Sequence, residues 1–228
     1  IQRHKVGVVV TSIALIVLAL VTVFYTIQLK EERDRAQLEA EKSRKVSEFL
    51  AGIFQVSDPE HSKGENITAR ELLDIGVRRI ESELSDQPEV LANMLGVTGN
   101  VYKSLGLYDN AQVLLLKAFS VNDSLSGSDS PETVKTLSDL AQLNFAMGDY
   151  ESAIEKYNEA VIKRKSIYGE ESLEVAESMS DLAMVLREEG DYDRSEKLLQ
   201  ESLSIRKKML SSESPEVAQS MNNLGLLK

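Results

Sequence analysis

Hydrophobic and polar positions divide the chain into three parts with different patterns. Residues 6–27 form one run without a charged side chain, whereas residues 28–45 are charged nearly all round. From residue 46 onward, apolar residues recur three or four positions apart, which is the spacing of one face of an α-helix. The chain is therefore predicted to be all-α, with an apolar helix, a polar helix and a series of amphipathic helices.

The apolar run at residues 6–27 predicts a transmembrane helix that follows a short flank at residues 1–5. As a helix its 22 residues would extend about 33 Å, and the hydrocarbon core of a bilayer is about 30 Å thick. A buried core helix and a cleaved signal peptide are the alternatives. A core helix would show a polar face, and a signal peptide has a shorter apolar region. We therefore expect a single-pass protein of the bacterial inner membrane.

Residues 28–56 predict a juxtamembrane helical stalk, since they are rich in helix formers and contain no glycine or proline before Gly52. The alternative is a dimerising coiled coil, through which the chain would self-associate. Residues 57–87 predict a polar loop and a capping helix. Thr68 precedes Glu71 by three positions, which is the spacing of a capping box at the start of a helix. This helix is expected to cover the first of the following helix pairs.

A glycine recurs at a fixed interval of 42 residues, at Gly106, Gly148 and Gly190. Each copy has a small residue seven positions before it, a tyrosine two positions after it, and small residues five and twelve positions after it. Agreement at several offsets in three copies indicates an internal repeat. The neighbouring positions are Gly99, Ala141 and Ala183; Tyr108, Tyr150 and Tyr192; Ala111, Ala153 and Ser195; and Ala118, Ala160 and Ser202.

Each repeat is predicted to be a pair of antiparallel helices. The glycine ends the first helix because it adopts left-handed backbone angles without a steric penalty. The aspartate that follows it, Asp149 or Asp191, caps the second helix, while the tyrosine fills the turn. Three pairs at residues 88–130, 131–172 and 173–214, and part of a fourth at 215–228, are expected to stack as an α-α superhelix.

These residues resemble the tetratricopeptide repeat, a family that has a small residue, a glycine turn and two alanines at the same offsets. That family's usual period is about 34 residues, and here the second helix is longer by about two turns. The long form resembles the kinesin-light-chain-like subclass, whose repeats often open with proline, an acidic residue and valine. The corresponding openings lie at residues 88–90, 131–133 and 215–217, and residues 173–175 lack the proline.

Residues 32–90 are similar to the juxtamembrane segment of bacterial transmembrane serine/threonine protein kinases. The motifs ERDRA, TARELLD and QPEV follow one another in the same order. In that family a catalytic domain precedes the membrane helix and tetratricopeptide repeats follow it. The resemblance implies a kinase domain before Ile1 and repeats on the extracytoplasmic side. Basic residues of the stalk argue for the opposite orientation, but long domains translocate largely regardless of flanking charge.

Composition limits the chemistry of these residues. Most of the net charge of −11 lies in residues 88–228, whereas a nucleic-acid-binding protein needs a basic surface. The chain has no cysteine, and its two histidines have no set of metal ligands near them in the sequence. The nucleotide-binding and catalytic motifs of a kinase are absent from it. We therefore expect no catalytic residue, no cofactor and no metal site in this segment.

The expected function is binding of a protein or peptide ligand. The first helix of each pair should line the concave groove of the stacked array, with Phe145 and Met184 as apolar anchors. Some tetratricopeptide proteins hold a C-terminal carboxylate in a basic clamp, but the matching positions here, which are Gly96, Ser138, Asp139 and Asp181, are not basic, so this mode is disfavoured. The candidate groove residues are Asn93, Asn100, Lys103, Lys135, Gln142, Phe145, Glu177, Met184, Arg187, Gln219 and Asn222.

The sequence thus predicts the membrane-anchored, non-catalytic interaction or sensor region of a bacterial serine/threonine protein kinase. The alternative is a free-standing, membrane-tethered scaffold or assembly factor with no kinase attached.

Overall fold

The computed structural model describes residues 18–30, 32–34, 36–37, 40–41, 43–45, 47–48 and 68–227. The chain divides into two compact units, Ile1–Asp58 and Pro59–Lys228. In the first unit, residues 18–30 form a helix, α1, and the other described residues up to 48 are also helical. The predicted stalk is therefore helical wherever it is described, and its apolar face between residues 46 and 54 lies outside the described residues, as does the predicted loop at residues 57–67.

The predicted transmembrane helix at residues 6–27 is contradicted. A helix that crosses a bilayer needs about 20 consecutive apolar residues. Within the described parts of the chain, none of the helices combines the length and the apolar character needed for a span. Residues 6–17 of the predicted span lie outside the described residues. The membrane-helix part of the predicted fold and the predicted single-pass location, with its extracytoplasmic repeats, are corrected accordingly.

The second unit is built of helices that follow one another with short connections, and its described residues contain no strand. The helices are α2 (Ala69–Glu83), α3 (Pro88–Ser104), α4 (Tyr108–Ser126), α5 (Pro131–Ala146), α6 (Tyr150–Tyr168), α7 (Leu173–Glu189), α8 (Tyr192–Met209) and α9 (Pro215–Gly225). Each helix packs against the next, from α2 through α9, and α3 also contacts α5. The division of this array into repeats at residues 130, 172 and 214 stays a prediction.

Side chains cap the start of every helix from α2 to α9 except α3 and α4. Thr68 and Glu71 form the predicted capping box at the start of α2. Asp149 accepts a hydrogen bond from the Ser152 N–H, and Asp191 accepts one from the Arg194 N–H, so both predicted aspartate caps are confirmed. Serines that were not predicted as caps start the first helices α5, α7 and α9. These serines are Ser130, Ser172 and Ser214.

Glycines with positive φ lie at the turn within each pair. Gly106, Gly148 and Gly190 have φ values of 74°, 80° and 97°, a region that side chains with a Cβ rarely adopt. The predicted helix stops are therefore confirmed at all three positions. Gly127 and Gly169 also have positive φ, at 82° and 87°, and they end the long second helices α4 and α6.

Small residues bring the two helices of each pair close together. The alanines and serines at the repeat positions are fully buried, and in the first pair Gly99 allows an even closer approach. A Cβ added at Gly99 would lie 2.9 Å from Cγ of Leu115. The fully buried members are Ala111, Ala118, Ala141, Ala153, Ala160, Ala183, Ser195 and Ser202.

The predicted role of the tyrosines as turn fillers is wrong for Tyr192, which is 58% exposed. Tyr150 packs beside Phe145, with 5.8 Å between the ring centroids. The position equivalent to Phe145 in the next pair is Arg187, so Tyr192 has no such aromatic neighbour there. Tyr108 is partly buried.

Candidate functional site

The candidate site is the surface formed by the non-core residues of the first helices α3, α5, α7 and α9, here called the first-helix surface. All eleven predicted groove residues lie on these four helices. Lys135, Gln142, Glu177, Gln219 and Asn222 are exposed. The partly buried members are Asn93, Asn100, Lys103, Phe145, Met184 and Arg187.

A hydrogen bond joins the first two of these helices across the surface. The Lys103 ammonium on α3 donates to Oε1 of Gln142 on α5. Burial lowers the pKa of Lys103, the Lys135 ammonium lowers it further, and the Asp139 carboxylate opposes the change. One turn before Lys103, the Oδ1 atom of Asn100 is buried and accepts no hydrogen bond from the described residues. A buried acceptor without a donor is costly, so this part of the surface has unused hydrogen-bonding capacity.

Several charges on the surface are paired along their own helix. Nζ of Lys135 lies 3.5 Å from Oδ2 of Asp139, and the Arg187 guanidinium lies 2.6 Å from Oε1 of Glu188. In each pair one partner is exposed, Lys135 and Glu188 respectively, and ion pairs that reach the surface contribute about 0–1 kcal/mol. A ligand charge could therefore replace either partner with little loss of stability.

The two predicted apolar anchors are less accessible than the sequence pattern indicated. Phe145 is partly buried and packs against a core cluster that includes Tyr157 and Leu186. Met184 is also partly buried. Phe145 thus forms part of the wall between the second and third helix pairs, and only its uncovered portion remains for a ligand.

Sequence reasoning missed the most unusual charge on the surface, at Asp181 on α7. Among the described residues, none forms a hydrogen bond or an ion pair within 4 Å with this carboxylate. Burial and the neighbouring Glu177 charge raise the pKa of Asp181 from 3.8 to about 6, while Arg164 and Arg206 oppose the shift. The recurrence of aspartate at residues 139 and 181, one period apart, was the available signal.

A buried phenol lies near the two aspartates. Tyr157 on α6 is 3% exposed. Burial raises the pKa of the Tyr157 hydroxyl, and the charges of Asp181 and Asp139 act in the same direction. The second and third pairs therefore present an aspartate at the position where the first pair has Val97. Acidic groups here disfavour a carboxylate ligand, in agreement with the sequence-based argument against a basic clamp.

The part of the chain that the structure describes contains no group of three or more His, Cys, Asp or Glu side chains placed to hold a metal ion. What the surface offers is hydrogen bonding, charge and some apolar area on four successive helices. This combination suits binding of another chain.

A family model for the tetratricopeptide repeat matches residues 90–161 and 164–228, which together make up more than half of the chain. The chain belongs to the tetratricopeptide repeat family. This tetratricopeptide repeat assignment confirms the predicted repeat class. No curated protein sequence matches the chain.

Solved structures share the tetratricopeptide fold at low sequence identity. BtubC (BKLC) from P. vanneervenii has a TM-score of 0.62 at 20% identity, and the match covers 82% of this chain and 80% of that one. A kinesin-light-chain-like protein from Podosopora anserina has a TM-score of 0.60 at 20% identity, covering 80% and 85%. The apo form of RapI has a TM-score of 0.61 at 17% identity, covering 79% of this chain and 48% of RapI. The kinesin-light-chain-like neighbours confirm the subclass likeness at the level of fold. These comparisons do not support the predicted contact with a lipid bilayer or the predicted self-association.

Proposed function

We propose that the tetratricopeptide array binds an extended segment of a partner protein across the first-helix surface. The observation that carries this proposal is the Asn100–Lys103–Gln142 group. It combines an acceptor without a donor, a desolvated ammonium and an exposed amide on two adjacent helices. Core packing does not need these groups, and an extended peptide backbone has both the donors and the acceptors to satisfy them.

A display library of short random peptides, selected on the full chain, tests this proposal. A selected peptide should lose about tenfold in affinity when Gln142 and Gln219 are both replaced by alanine, because interface residues that matter contribute more than about 1 kcal/mol. The matched control replaces Glu155 and Lys197, which are exposed on the second helices α6 and α8. The proposal fails if the control variant loses as much affinity as the first-helix variant, or if selection enriches no peptide.

We further propose that this binding region serves a serine/threonine protein kinase. The support is the ordered ERDRA, TARELLD and QPEV motifs between residues 32 and 90, which resemble the segment that links catalytic domain and repeats in that family. A free-standing scaffold or assembly factor is the alternative. The coding sequence upstream of Ile1 separates them. Kinase motifs there would support the proposal, and a start codon within a few residues of Ile1 would contradict it.

A further inference from the structure

A side chain near the end of each second helix connects one helix pair to the next. Asn122, Arg164 and Arg206 occupy equivalent positions, 42 residues apart. Each donates to the backbone carbonyl of the second residue in the following first helix. The acceptors are Glu132 O at 3.4 Å, Glu174 O at 2.9 Å and Glu216 O at 3.3 Å.

The second acceptor of this connection differs among the three copies. Asn122 donates to Oγ1 of Thr136 at 3.0 Å, and Arg206 donates to Oγ of Ser220 at 2.6 Å. Thr136 and Ser220 hold equivalent positions of α5 and α9. In the middle copy, Arg164 donates instead to Oε2 of Glu177, at 2.8 Å.

The hydroxyl that Arg164 leaves unused is Ser178, which is equivalent to Thr136 and Ser220. Ser178 is 0% exposed, and its Oγ has no hydrogen-bond partner among the described residues. An unsatisfied buried hydroxyl costs about 1–3 kcal/mol. The neighbouring copies show that a donor at position 164 of this architecture reaches the hydroxyl at position 178. Besides the Glu174 carbonyl, Arg164 therefore has two candidate side-chain acceptors: Glu177, to which it donates, and Ser178, to which it does not.

The occupied acceptor belongs to the first-helix surface. The Glu177 side chain is 61% exposed, whereas that of Arg164 is 11% exposed. Asp181, which has no ion pair within 4 Å among the described residues, follows Glu177 by four positions, so both carboxylates lie on one side of α7. Pairing with an exposed carboxylate is screened by solvent, and the vacant hydroxyl offers Arg164 a buried alternative.

We propose that Arg164 is a two-position clasp that holds Glu177 in the empty protein and moves to Ser178 when a basic side chain of a bound peptide pairs with Glu177 and Asp181. The basic side chain is the ligand group that complements two neighbouring carboxylates, one of them unpaired. This inference rests on the proposed peptide binding for its ligand, but the clasp itself exists in the empty protein.

Thermal unfolding of the full chain tests the clasp without a ligand. Glu177→Ala should leave the Tm within about 1 °C of the parent, because Arg164 keeps the Ser178 hydroxyl as a side-chain acceptor. Ser178→Ala should leave the Tm unchanged or raise it, because it removes a buried hydroxyl that has no partner among the described residues while Arg164 keeps Glu177. The Tm of the double variant should be about 3 °C lower than the sum of the two single-variant changes predicts. This is the effect expected when a charged group loses a hydrogen bond in a chain of this size. Additive effects would overturn the clasp.

The next pair supplies the matched control. Gln219 and Ser220 are equivalent to Glu177 and Ser178, but Arg206 already donates to Ser220. Ser220→Ala alone should therefore lower the Tm by about 3 °C, and its effect should add to that of Gln219→Ala. An equal decrease in Tm for Ser178→Ala and Ser220→Ala would contradict the claim that the Ser178 hydroxyl accepts no hydrogen bond in the empty protein.

Peptides from the display selection test the ligand class. Replacement of the peptide's lysine or arginine by norleucine should weaken binding about tenfold in the parent and have no effect in the variant that carries Glu177→Gln and Asp181→Asn. Ser178→Ala should weaken binding of the basic peptide several-fold, although its hydroxyl is buried away from the ligand. If the norleucine replacement weakens binding equally in the parent and in the double variant, the proposal that the ligand carries a basic side chain is wrong. If selection enriches no peptide that depends on the first-helix surface, the proposed function is wrong, and so is the ligand part of this inference. The Tm values of the Glu177 and Ser178 variants still test the clasp in that case.

Discussion

Gly148 and Gly96 both belong to helix pairs, but their backbone conformations differ. Gly148 lies in the turn at φ 80°, where a Cβ is strained, whereas Gly96 lies inside α3 with nothing within 4 Å of an added Cβ. Gly148→Ala should therefore lower the free energy of unfolding by about 1–2 kcal/mol. Gly96→Ala should raise it by about 0.5–1 kcal/mol, because glycine loses more conformational entropy in a helix.

Urea unfolding followed by circular dichroism measures both variants on the same chain. Opposite signs are expected. A loss of stability in both variants would show that close packing, rather than backbone angle, determines the effect of a methyl group at these positions.

Asp181 should make stability depend on pH. Its folded pKa, about 6, lies above the reference value of 3.8, so the folded chain binds an extra proton between these values. Stability contributed by the protonated form is then fully present below about pH 4 and is lost as pH rises through about 6. Asp181→Asn removes this loss. At pH 7.5 we expect it to be more stable than the parent by about 2–3 kcal/mol, and at pH 3.5 we expect no difference.

Asp139→Asn is the matched control one repeat earlier. Its carboxylate has Lys135 at 3.5 Å, so its removal should not stabilise the protein at pH 7.5. Thermal melts of the three proteins at both pH values decide the question. A stability difference between Asp181→Asn and the parent that is the same at pH 3.5 and 7.5 would contradict the assigned role of burial.

What the sequence could and could not predict is visible at individual residues. The turn glycines and the aspartate caps follow from local backbone chemistry, so Gly106, Gly190 and Asp149 were predictable. Ser195 was predicted only as a small residue, but its Oγ also donates to Ala183 O at 2.7 Å. That Asp181 has no ion-pair partner within 4 Å among the described residues depends on the three-dimensional surroundings, and a repeat pattern does not contain that information.

At the scale of the element, a serine cap sets the start of each first helix after the initial pair. The Ser172 side chain accepts a hydrogen bond from the Val175 N–H, and Ser172 is 6% exposed. Ser172→Ala should lower the free energy of unfolding by about 1 kcal/mol, because the start of α7 loses one of its few acceptors. Ser166, exposed within α6, serves as the control, and its replacement by alanine should be neutral or slightly stabilising.

Differential scanning calorimetry of both serine variants measures this effect. Equal Tm values for Ser172→Ala and Ser166→Ala would argue that solvent satisfies the Val175 N–H and that the cap does not contribute. The caps at Ser130 and Ser214 recur with the period of the glycines, and the repeat could have revealed them.

At the scale of the whole molecule, periodicity predicted the stacking of helix pairs well because each pair contacts mainly its neighbours. The apolar run at residues 6–27 led to a wrong prediction for a different reason. A span requires a helix that is both long and apolar, and none of the described helices meets this condition. The contact between Arg164 and Glu177 could not be predicted either, because a sequence pattern does not show which of several nearby acceptors a guanidinium contacts.

The central claim is that a partner peptide lies on the first helices. Two variants of the full chain test it directly. One carries a photo-cross-linking amino acid in place of Gln142 on α5, and the other carries it in place of Glu155 on α6. With a peptide from the display selection, the account predicts a cross-linked product from position 142 and none from position 155. Cross-linking from position 155 alone would contradict the account, since it would place the ligand on the second helices.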